Sequence, residues 1–512
     1  MSGGDEDGGD EAPLVQEQGA GDSMPSDSDE ARLINDVEIK VEITSSDTKI
    51  EMGKDNKEAE AGESFQGLSE EELEQYATDP SWVRLRWALF LLFWLFWVAM
   101  VAAAVVIIVL APKCPSPRPK QWWQKAPVYK VDVSAFPGHD LRGVEQELDY
   151  LVSLGVGSVY LAYLLSPYNM TEVRREYGTM GDWARLVKHL HERGINVIVD
   201  LDPIQTSQQN VWFKEDRPSF YQPGSRKPDL ENSAVQGELR KVFESWLHQG
   251  VDGFVIRAAD EVPETLMKEF RDILEAETIE TGIEKVLMTE GGVKISQQFS
   301  AVGAGSVVHL ALPGDLLGPA LPTARGIKDK LDTFIASLPE LAWPAFTLDT
   351  VAHGEQLVDA LTMLKMLLPG TVVCQAGQEL GLAAMDFSRT QGRQEQQHLQ
   401  LYSLLATKLR QQDAVLFGDL TADNSFVMGE VFGLTRVKRG SPGFILVMNL
   451  GLEEATVDLS GLATVPQSIG VLEGGAVMAV SPRQEEEGKR LDSKEVTLAA
   501  GQAKIFNFVP KF

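Results

Sequence analysis

Apolar and polar positions divide the chain into three kinds of segment. Residues 1–83 show no sustained apolar period, residues 87–111 form one uninterrupted apolar run, and the remainder alternates short apolar runs with amphipathic stretches. A segment without an apolar period buries too little surface to offset its chain entropy. We therefore predict a mostly disordered tail over residues 1–83, a long helix over 84–111, and a stalk over 112–125 that leads into a folded part.

The apolar run contains 25 residues and no charge. At about 1.5 Å per residue it is long enough to cross a bilayer core of about 30 Å. A buried soluble helix of this length normally keeps a polar stripe, and a secretory signal has a shorter apolar core at the extreme N-terminus. The run predicts one transmembrane helix.

Ala99 and Ala103 lie one turn apart in this helix and would let another helix approach closely. The alternative is that they face lipid.

The remainder of the chain alternates predicted strands with predicted helices. The runs read as buried parallel strands are 156–161, 196–201, 253–256, 286–289 and 371–375, and the intervening helices are 183–193, 234–248 and 356–368. This alternation predicts an α/β fold with a (β/α)8 TIM-type barrel over residues 126–415. Shorter strands with Gly and Pro, such as 444–449 and 503–509, predict an antiparallel β-sandwich domain over 416–512.

Charge and cysteine content narrow the function. The 512 residues carry a net charge of -29, and residues 1–83 hold 24 acidic and 5 basic side chains. Nucleic-acid binding is excluded as a function because phosphate recognition needs basic surface. Two cysteines cannot form a disulfide framework in a chain of this length. The acidic charge belongs mainly to a solvated tail.

Four separated segments resemble the α-amylase family of glycoside hydrolases. In chain order they are 122–123 with 128–129, 194–200, 250–254, and 368–371 with 377–381, which resemble the family's first, third, fourth and eighth strands. The segment 229–232 resembles the one that follows the family's inserted second domain, and only 21 residues separate it from Ser207. The resemblance implies a barrel ectodomain without that insertion.

The family's two catalytic carboxyl groups are not both present. A retaining glycosidase needs a nucleophile and a general acid about 5 Å apart. The resemblance places the degenerate active-site positions at Asp200, Ile204, Gln205, Val255, Arg257, Glu290 and Asp349. Arg257 stands where the family has its nucleophile, and Val255 where it has an arginine; Ile204 and Gln205 replace an Asn-His pair.

Two acidic residues still match the family's pattern. Glu290 matches the general acid, and Asp349 an acidic residue near the seventh strand. For Glu290 we expect a structural role or pairing with Arg257. Asp260 could replace the nucleophile only through a rearranged loop. We predict no catalytic residue, metal or cofactor; a membrane-anchored α-glucosidase is the alternative.

The acidic tail, the membrane helix, the cysteine just beyond it and the degenerate barrel together resemble the heavy subunit of the heteromeric amino-acid transporters. The missing inserted domain favours the cell-surface-antigen type of this subunit. The residues that carry this resemblance are 82–84 through 111–114, which look like that glycoprotein's anchor and stalk. It implies a single-pass type II plasma-membrane protein with the barrel outside, in contact with membrane lipids. It also implies a multi-spanning amino-acid transporter light chain joined through a disulfide at Cys114. Such a subunit would support the surface trafficking and stability of its light chain.

The residues alone leave the orientation, the role of Cys114 and the function open to more than one interpretation. Arg84 and Arg86 precede the helix, and four basic residues follow it at 113, 118, 120 and 125, so a charge count alone favours the opposite orientation. Cys114 could instead link two copies of this chain or, in the reversed topology, be palmitoylated. Asn169 begins a glycosylation sequon, and Cys374 lies in an apolar strand as a buried thiol. An adhesion or signalling scaffold, with adhesion receptors or cytoskeletal proteins as partners, is the main alternative function.

Overall fold

The computed structural model describes Glu74 and residues 79–110, 119–204, 210–212, 218–225, 227–290, 307–312, 314–337, 343–418, 424–462, 476–481 and 493–510. Residues 1–73 and 75–78 of the predicted tail, Cys114 and Gln205 lie outside the described residues. The chain divides into two units, Met1–Lys113 and Cys114–Phe512.

The first unit contains helix α1, Pro80–Leu110, with 31 residues. At about 1.5 Å per residue its length is about 46 Å, which exceeds a bilayer core. Asp79 accepts a hydrogen bond from the backbone nitrogen of Ser81 at 3.0 Å, so an N-terminal carboxylate caps the helix. In the described part of the chain α1 is the one helix long and apolar enough to cross a membrane. The predicted helix is confirmed, and it begins four residues earlier than predicted.

Eight parallel strands form the barrel of the second unit. They are β1 Val128–Asp132, β2 Ser158–Ala162, β3 Asn196–Leu201, β4 Gly253–Arg257, β5 Val286–Glu290, β6 Leu310–Leu312, β7 Ala345–Thr347 and β8 Thr371–Gln375. Their order in the sheet is β6-β5-β4-β3-β2-β1-β8-β7. A single parallel bridge between Asp315 and Thr347 joins the β6 and β7 sides. The predicted TIM-type barrel is therefore confirmed.

Helices surround this sheet and connect its strands. They are α2 Trp122–Lys125, α3 Leu141–Gln146, α4 Leu148–Ser153, α5 Met180–Glu192, α6 Ser233–His248, α7 Glu264–Thr281, α8 Ala324–Ser337, α9 Val358–Leu367, α10 Arg393–Leu404 and α11 Asp413–Phe417. Local sequence sets where they begin: Thr179 and Asp182 form a capping box at the start of α5. Helix α2 and its buried Trp123 show that the end of the predicted stalk packs as part of the barrel.

Apolar side chains fill the barrel on both sides of its sheet. Val255, Ile198 and Met288 belong to the cluster inside the barrel, and each is fully buried. Outside the sheet, Trp183 of α5 meets Trp246 of α6 edge to face at 5.3 Å. This two-sided burial explains why these strands are continuously apolar rather than alternating.

The C-terminal part is antiparallel, as predicted. Its strands are β9 Ser425–Met428, β10 Val431–Arg436, β11 Gly443–Asn449, β12 Ala455–Val457, β13 Ala476–Ser481, β14 Val496–Leu498 and β15 Ala503–Phe508. Five of them form a sheet in the order β13-β15-β11-β10-β9, and β12 pairs with β14. Ile445 and Phe506 of the larger sheet share one apolar cluster with Val457 and Leu498 of the smaller sheet. The two sheets thus pack face to face as a small sandwich.

Candidate functional site

The carboxyl ends of β3, β4 and β5 bring the degenerate active-site positions together. Asp200 is paired in register with Val255, and Arg257 with Glu290. In a β/α barrel this end of the strands carries the functional side chains. Arg257 and Glu290 are therefore neighbours in the sheet, one basic and one acidic.

Arg257 is held by carboxylates and by an aromatic ring. Its Nη1 lies 3.3 Å from Oδ2 of Asp200, and its Nε lies 3.9 Å from Oδ2 of Asp202. The guanidinium lies over the ring of Tyr163, 4.2 Å from the ring centroid. Burial alone would lower the pKa of Arg257, but the contacts with Tyr163 and the charge of Asp200 outweigh burial and raise it. Arg257 is thus a fixed cation at the carboxyl end of β4.

Asp200 is the buried member of this ion pair. It is 4% exposed, and its Oδ1 accepts a hydrogen bond from the backbone nitrogen of Tyr163 at 2.8 Å. Burial raises the pKa of Asp200, and the neighbouring Arg257 offsets that rise only in part. The carboxylate therefore depends on the guanidinium for its charge compensation.

Glu290 is engaged on both carboxylate oxygens. Its Oε1 accepts a hydrogen bond from Nζ of Lys130 at 2.6 Å, and its Oε2 accepts one from the Tyr160 hydroxyl at 3.3 Å. The expected pairing with Arg257 is wrong for the described residues, since the ion pairs of Arg257 are with Asp200 and Asp202. Among the described residues, the cation paired with Glu290 is Lys130.

The remaining predicted positions contribute apolar packing or loop structure. Val255 is fully buried inside the barrel, and Ile204 is half-buried against the core outside the sheet. Asp349 accepts hydrogen bonds from the backbone nitrogens of Val351 and Ala352 at 3.0 and 3.1 Å, so it stabilises a turn after β7. Asp260 is exposed in a 3-10 turn beyond β4.

The cavity over Asp200 is small. Its volume is about 50 Å³, and residues from 163–174 and 200–202 line it. A water molecule occupies about 30 Å³ in the liquid, whereas sites for small organic ligands usually span about 300–1,000 Å³. The cavity lined by these described residues is therefore smaller than a usual ligand site.

Two residues that sequence analysis did not select complete the site. Lys130 is the charged residue of the otherwise apolar run Val128–Val131 in β1, and this charge in a buried strand was the available signal. Tyr163 has a left-handed backbone with φ 58°, which aims it at Arg257 but leaves no mark in the sequence. Lys130 contacts Glu290 and Tyr163 contacts Arg257, and these contacts hold the two charged side chains in place.

The described residues contain no group of three or more His, Cys, Asp or Glu side chains placed to bind a metal ion. Cys374 is a free thiol in β8 and is fully buried, as expected from its apolar strand. The chemistry available at the barrel end is charge pairing among the side chains already named.

Comparisons with known proteins agree with this geometry. The model of the Solute carrier family 3 member 2 N-terminus matches residues 47–129, and the model of the alpha amylase catalytic domain matches residues 121–229. The mouse amino acid transporter heavy chain SLC3A2 is 30% identical over 350 residues, which cover 65% of this chain and 62% of the mouse protein. The rabbit amino acid transporter heavy chain SLC3A2 is 26% identical over 504 residues, with 90% of each chain covered.

A solved structure shows the same fold. The alpha-amylase from Anoxybacillus superposes with a TM-score of 0.63 at 17% identity, over 77% of this chain and all of the amylase chain. The resemblance predicted from the sequence is therefore confirmed: the chain is similar to amino acid transporter heavy chains and carries an α-amylase-type barrel.

Proposed function

We propose that this protein is the non-catalytic heavy subunit of a heteromeric amino-acid transporter. It is a single-pass type II plasma-membrane protein with the barrel outside the cell, linked through Cys114 to a multi-spanning light chain. It supports the surface trafficking and stability of that light chain. The observation that carries the proposal is the match to the heavy-chain N-terminal model over residues 47–129, a segment that contains helix α1 and Cys114.

Membrane physics supports the need for a partner. A single helix satisfies its own backbone hydrogen bonds but cannot enclose a polar path through lipid. Transport therefore has to be carried by a protein with several spans. Ala99 and Ala103 lie on one face of α1 and are the proposed contact for a helix of that partner.

The barrel geometry supports the absence of catalysis. Hydrolysis with retention needs one carboxylate that is free to attack and one carboxyl group that is free to protonate. Here Arg257 occupies the nucleophile position, and the oxygens of Glu290 are bound by Lys130 and Tyr160.

Non-reducing electrophoresis of the protein from its native membrane tests the proposal. We expect a high-mass band that collapses on thiol reduction and contains a multi-spanning transporter. Cys114→Ser should eliminate this band, whereas Cys374→Ser is the matched control because its thiol is fully buried. A band that persists in Cys114→Ser, or that contains only copies of this chain, would contradict the proposal.

A second experiment separates the disulfide from the helix contact. A covalent tether chiefly raises effective concentration, so Cys114→Ser should weaken the complex and still leave appreciable partner at the cell surface. Leucine at Ala99 and Ala103 in the same background should reduce surface partner further. Val101→Leu, two residues away on the opposite face of α1, is the control. An equal loss in the control would remove the Ala99 and Ala103 face from the interface.

A further inference from the structure

An open groove lies in the C-terminal domain, between the turn that joins β9 to β10 and strand β12. Its volume is about 890 Å³, within the range of about 300–1,000 Å³ that ligand sites usually span. The segments that line it are 428–430, 449–454 and 455–458. Met428, Leu450 and Val457 supply its apolar lining, and each is partly or fully buried. None of the degenerate active-site residues lines this groove.

Strand β12 has an unpaired edge at this groove. In the described part of the chain β12 pairs with β14 alone, through residues 455–457 and 496–498. All three residues of β12 line the groove, whereas their partners in β14 do not. In an antiparallel pair, alternate residues direct their N–H and C=O groups away from the partner strand. An extended segment in the groove could therefore pair with β12 as an added strand.

Carboxylates surround the groove. Its lining includes Glu430, Glu453, Glu454 and Asp458, all exposed, and contains no lysine, arginine or histidine. Asp458 accepts hydrogen bonds from the backbone nitrogen and the hydroxyl of Ser460 at 2.9 and 2.6 Å. The three glutamates are therefore the carboxylates placed to meet a ligand. Because like charges this close repel one another, a cationic ligand would lower the energy of the groove.

A fixed turn carries an exposed leucine in the groove. Leu452 is 91% exposed, more than any other large apolar side chain of the described residues. Asn449, which is fully buried, holds this turn: its side-chain nitrogen donates to the carbonyl oxygen of Glu453 at 2.7 Å. Its side-chain oxygen accepts a hydrogen bond from the backbone nitrogen of Gly451 at 2.9 Å. The structure thus presents Leu452 to solvent next to Glu453 and Glu454.

The charge of the chain favours an occupant from another protein. Residues 1–83 carry a net charge of -19 and residues 84–512 a net charge of -10, so the groove would repel the tail and a second copy. The segments 463–475 and 482–492, which flank β13 and lie outside the described residues, each carry a net charge of -1. A basic partner has the complementary charge.

We propose that this groove binds an extended, basic segment of another protein. The backbone of that segment pairs with the free edge of β12, and its lysine or arginine side chains contact Glu430, Glu453 and Glu454. An apolar side chain of the segment packs against Leu452. This surface is distinct from α1 and from the stalk, so the inference goes beyond the proposed function and does not depend on it.

Peptide binding is tested by fluorescence anisotropy on the detergent-solubilised full chain. The probe is a labelled ten-residue peptide of alternating lysine and valine, and the control peptide alternates glutamate and valine. We expect the lysine peptide alone to bind, with an affinity that falls as salt rises because exposed charge pairs are screened. No binding of the lysine peptide, or equal binding of both peptides, would overturn the proposal.

Substitution of the three glutamates locates the bound peptide. Glu430→Gln, Glu453→Gln and Glu454→Gln together remove three charges and keep the side-chain shape. An exposed ion pair contributes about twofold to fivefold in affinity, so we expect the lysine peptide to bind about tenfold more weakly. The control set removes the same charge from exposed positions of α5, α6 and α7: Glu192→Gln, Glu244→Gln and Glu280→Gln. An equal loss in the control set would show that net charge, and not the groove, attracts the peptide.

The apolar contact is tested by Leu452→Ala. This change should weaken binding severalfold, because it removes methyl and methylene groups that the peptide covers. Ile279→Ala is the control, since Ile279 is 85% exposed on α7, away from the groove lining. An equal affinity in the two variants would refute the contact with Leu452.

Strand pairing is tested with two methylated peptides. One carries methyl groups on the backbone nitrogens of its lysines, and the other on those of its valines. Only alternate residues of an added strand direct their N–H groups at the edge of β12, so one peptide should bind at least about fivefold more weakly than the other. Equal affinities of the two methylated peptides would refute the pairing with β12.

Discussion

The ion pair of Arg257 with Asp200 should stabilise the barrel far more than the ion pair of Lys130 with Glu290. Arg257→Met keeps the apolar stem of the side chain and removes the charge. It leaves the Asp200 side chain, 5% exposed, without the guanidinium at 3.3 Å. Breaking a buried pair from one side costs about 3–5 kcal/mol. At roughly 2 °C per kcal/mol for a large domain, we expect the melting temperature to fall by about 6–10 °C.

Lys130→Met is the matched control within the same site. The Glu290 side chain is 32% exposed, so water can solvate its carboxylate, and the Tyr160 hydroxyl still donates to it. Ion pairs with this access to solvent contribute about 1 kcal/mol or less. The same charge change should therefore cost several times less in Lys130→Met than in Arg257→Met.

The stability loss of Arg257→Met should depend on pH in a defined direction. Burial raises the pKa of Asp200, and Arg257 partly offsets this rise. Because the pKa of Asp200 is higher in the folded state than in the unfolded state, its protonated form favours folding. This contribution is complete below the unfolded-state pKa of about 3.9 and is lost as the pH rises through the folded-state pKa. Without Arg257 that pKa rises further. The stability deficit of Arg257→Met should therefore grow between pH 5 and pH 7.5.

The assay is thermal and urea unfolding of the detergent-solubilised full chain, followed by near-UV circular dichroism at both pH values. The reasoning is refuted if Arg257→Met costs no more than Lys130→Met. It is also refuted if the deficit of Arg257→Met is the same at pH 5 and pH 7.5.

Three further predictions concern the opposite barrel end, catalysis and topology. Burial alone would raise the pKa of Asp252, but the hydrogen bond with His191 and the charge of Lys285 at 2.9 Å outweigh it and lower that pKa. The stabilisation that ionised Asp252 contributes is therefore present above its unfolded-state pKa and is lost as the pH falls. Lys285→Met should lower the free energy of unfolding by about 3–5 kcal/mol at pH 7, and by less in acid. A deficit independent of pH would contradict this. Glu290→Gln should not change the α-glucoside hydrolysis measured for the purified chain, whereas turnover abolished by it would show an enzyme. Protease added to intact cells should remove material C-terminal to Cys114 and spare an N-terminal epitope; the reverse pattern would place the barrel inside.

The strands that could be predicted are those with enough buried residues to form a run. Asn196–Leu201 and Thr371–Gln375 have the predicted bounds, and they contain five and four buried residues in a row. Leu310–Leu312 and Ala345–Thr347 were not predicted. Three residues are too few to establish a period, and these strands are defined by the neighbours that pair with them.

Only part of the charge pairing at this site could be predicted from the sequence. Alignment with a family motif identified Arg257 and Glu290 as neighbours, and their strands are indeed in register. Which carboxylate each cation binds depends on side-chain direction across several strands. Lys130 lies 160 residues before Glu290 in the chain, so a local sequence pattern cannot predict their contact.

The proposed absence of catalysis depends on the charge pairs of the whole barrel end rather than on position 257 alone. A carboxylate at that position would stand beside Asp200 and Asp202 without the guanidinium that now pairs with both of them. Like charges at such distances repel strongly in a partly buried site. Arg257 and Lys130 therefore act together at this end of the barrel: Arg257 compensates Asp200 and Asp202, and Lys130 compensates Glu290.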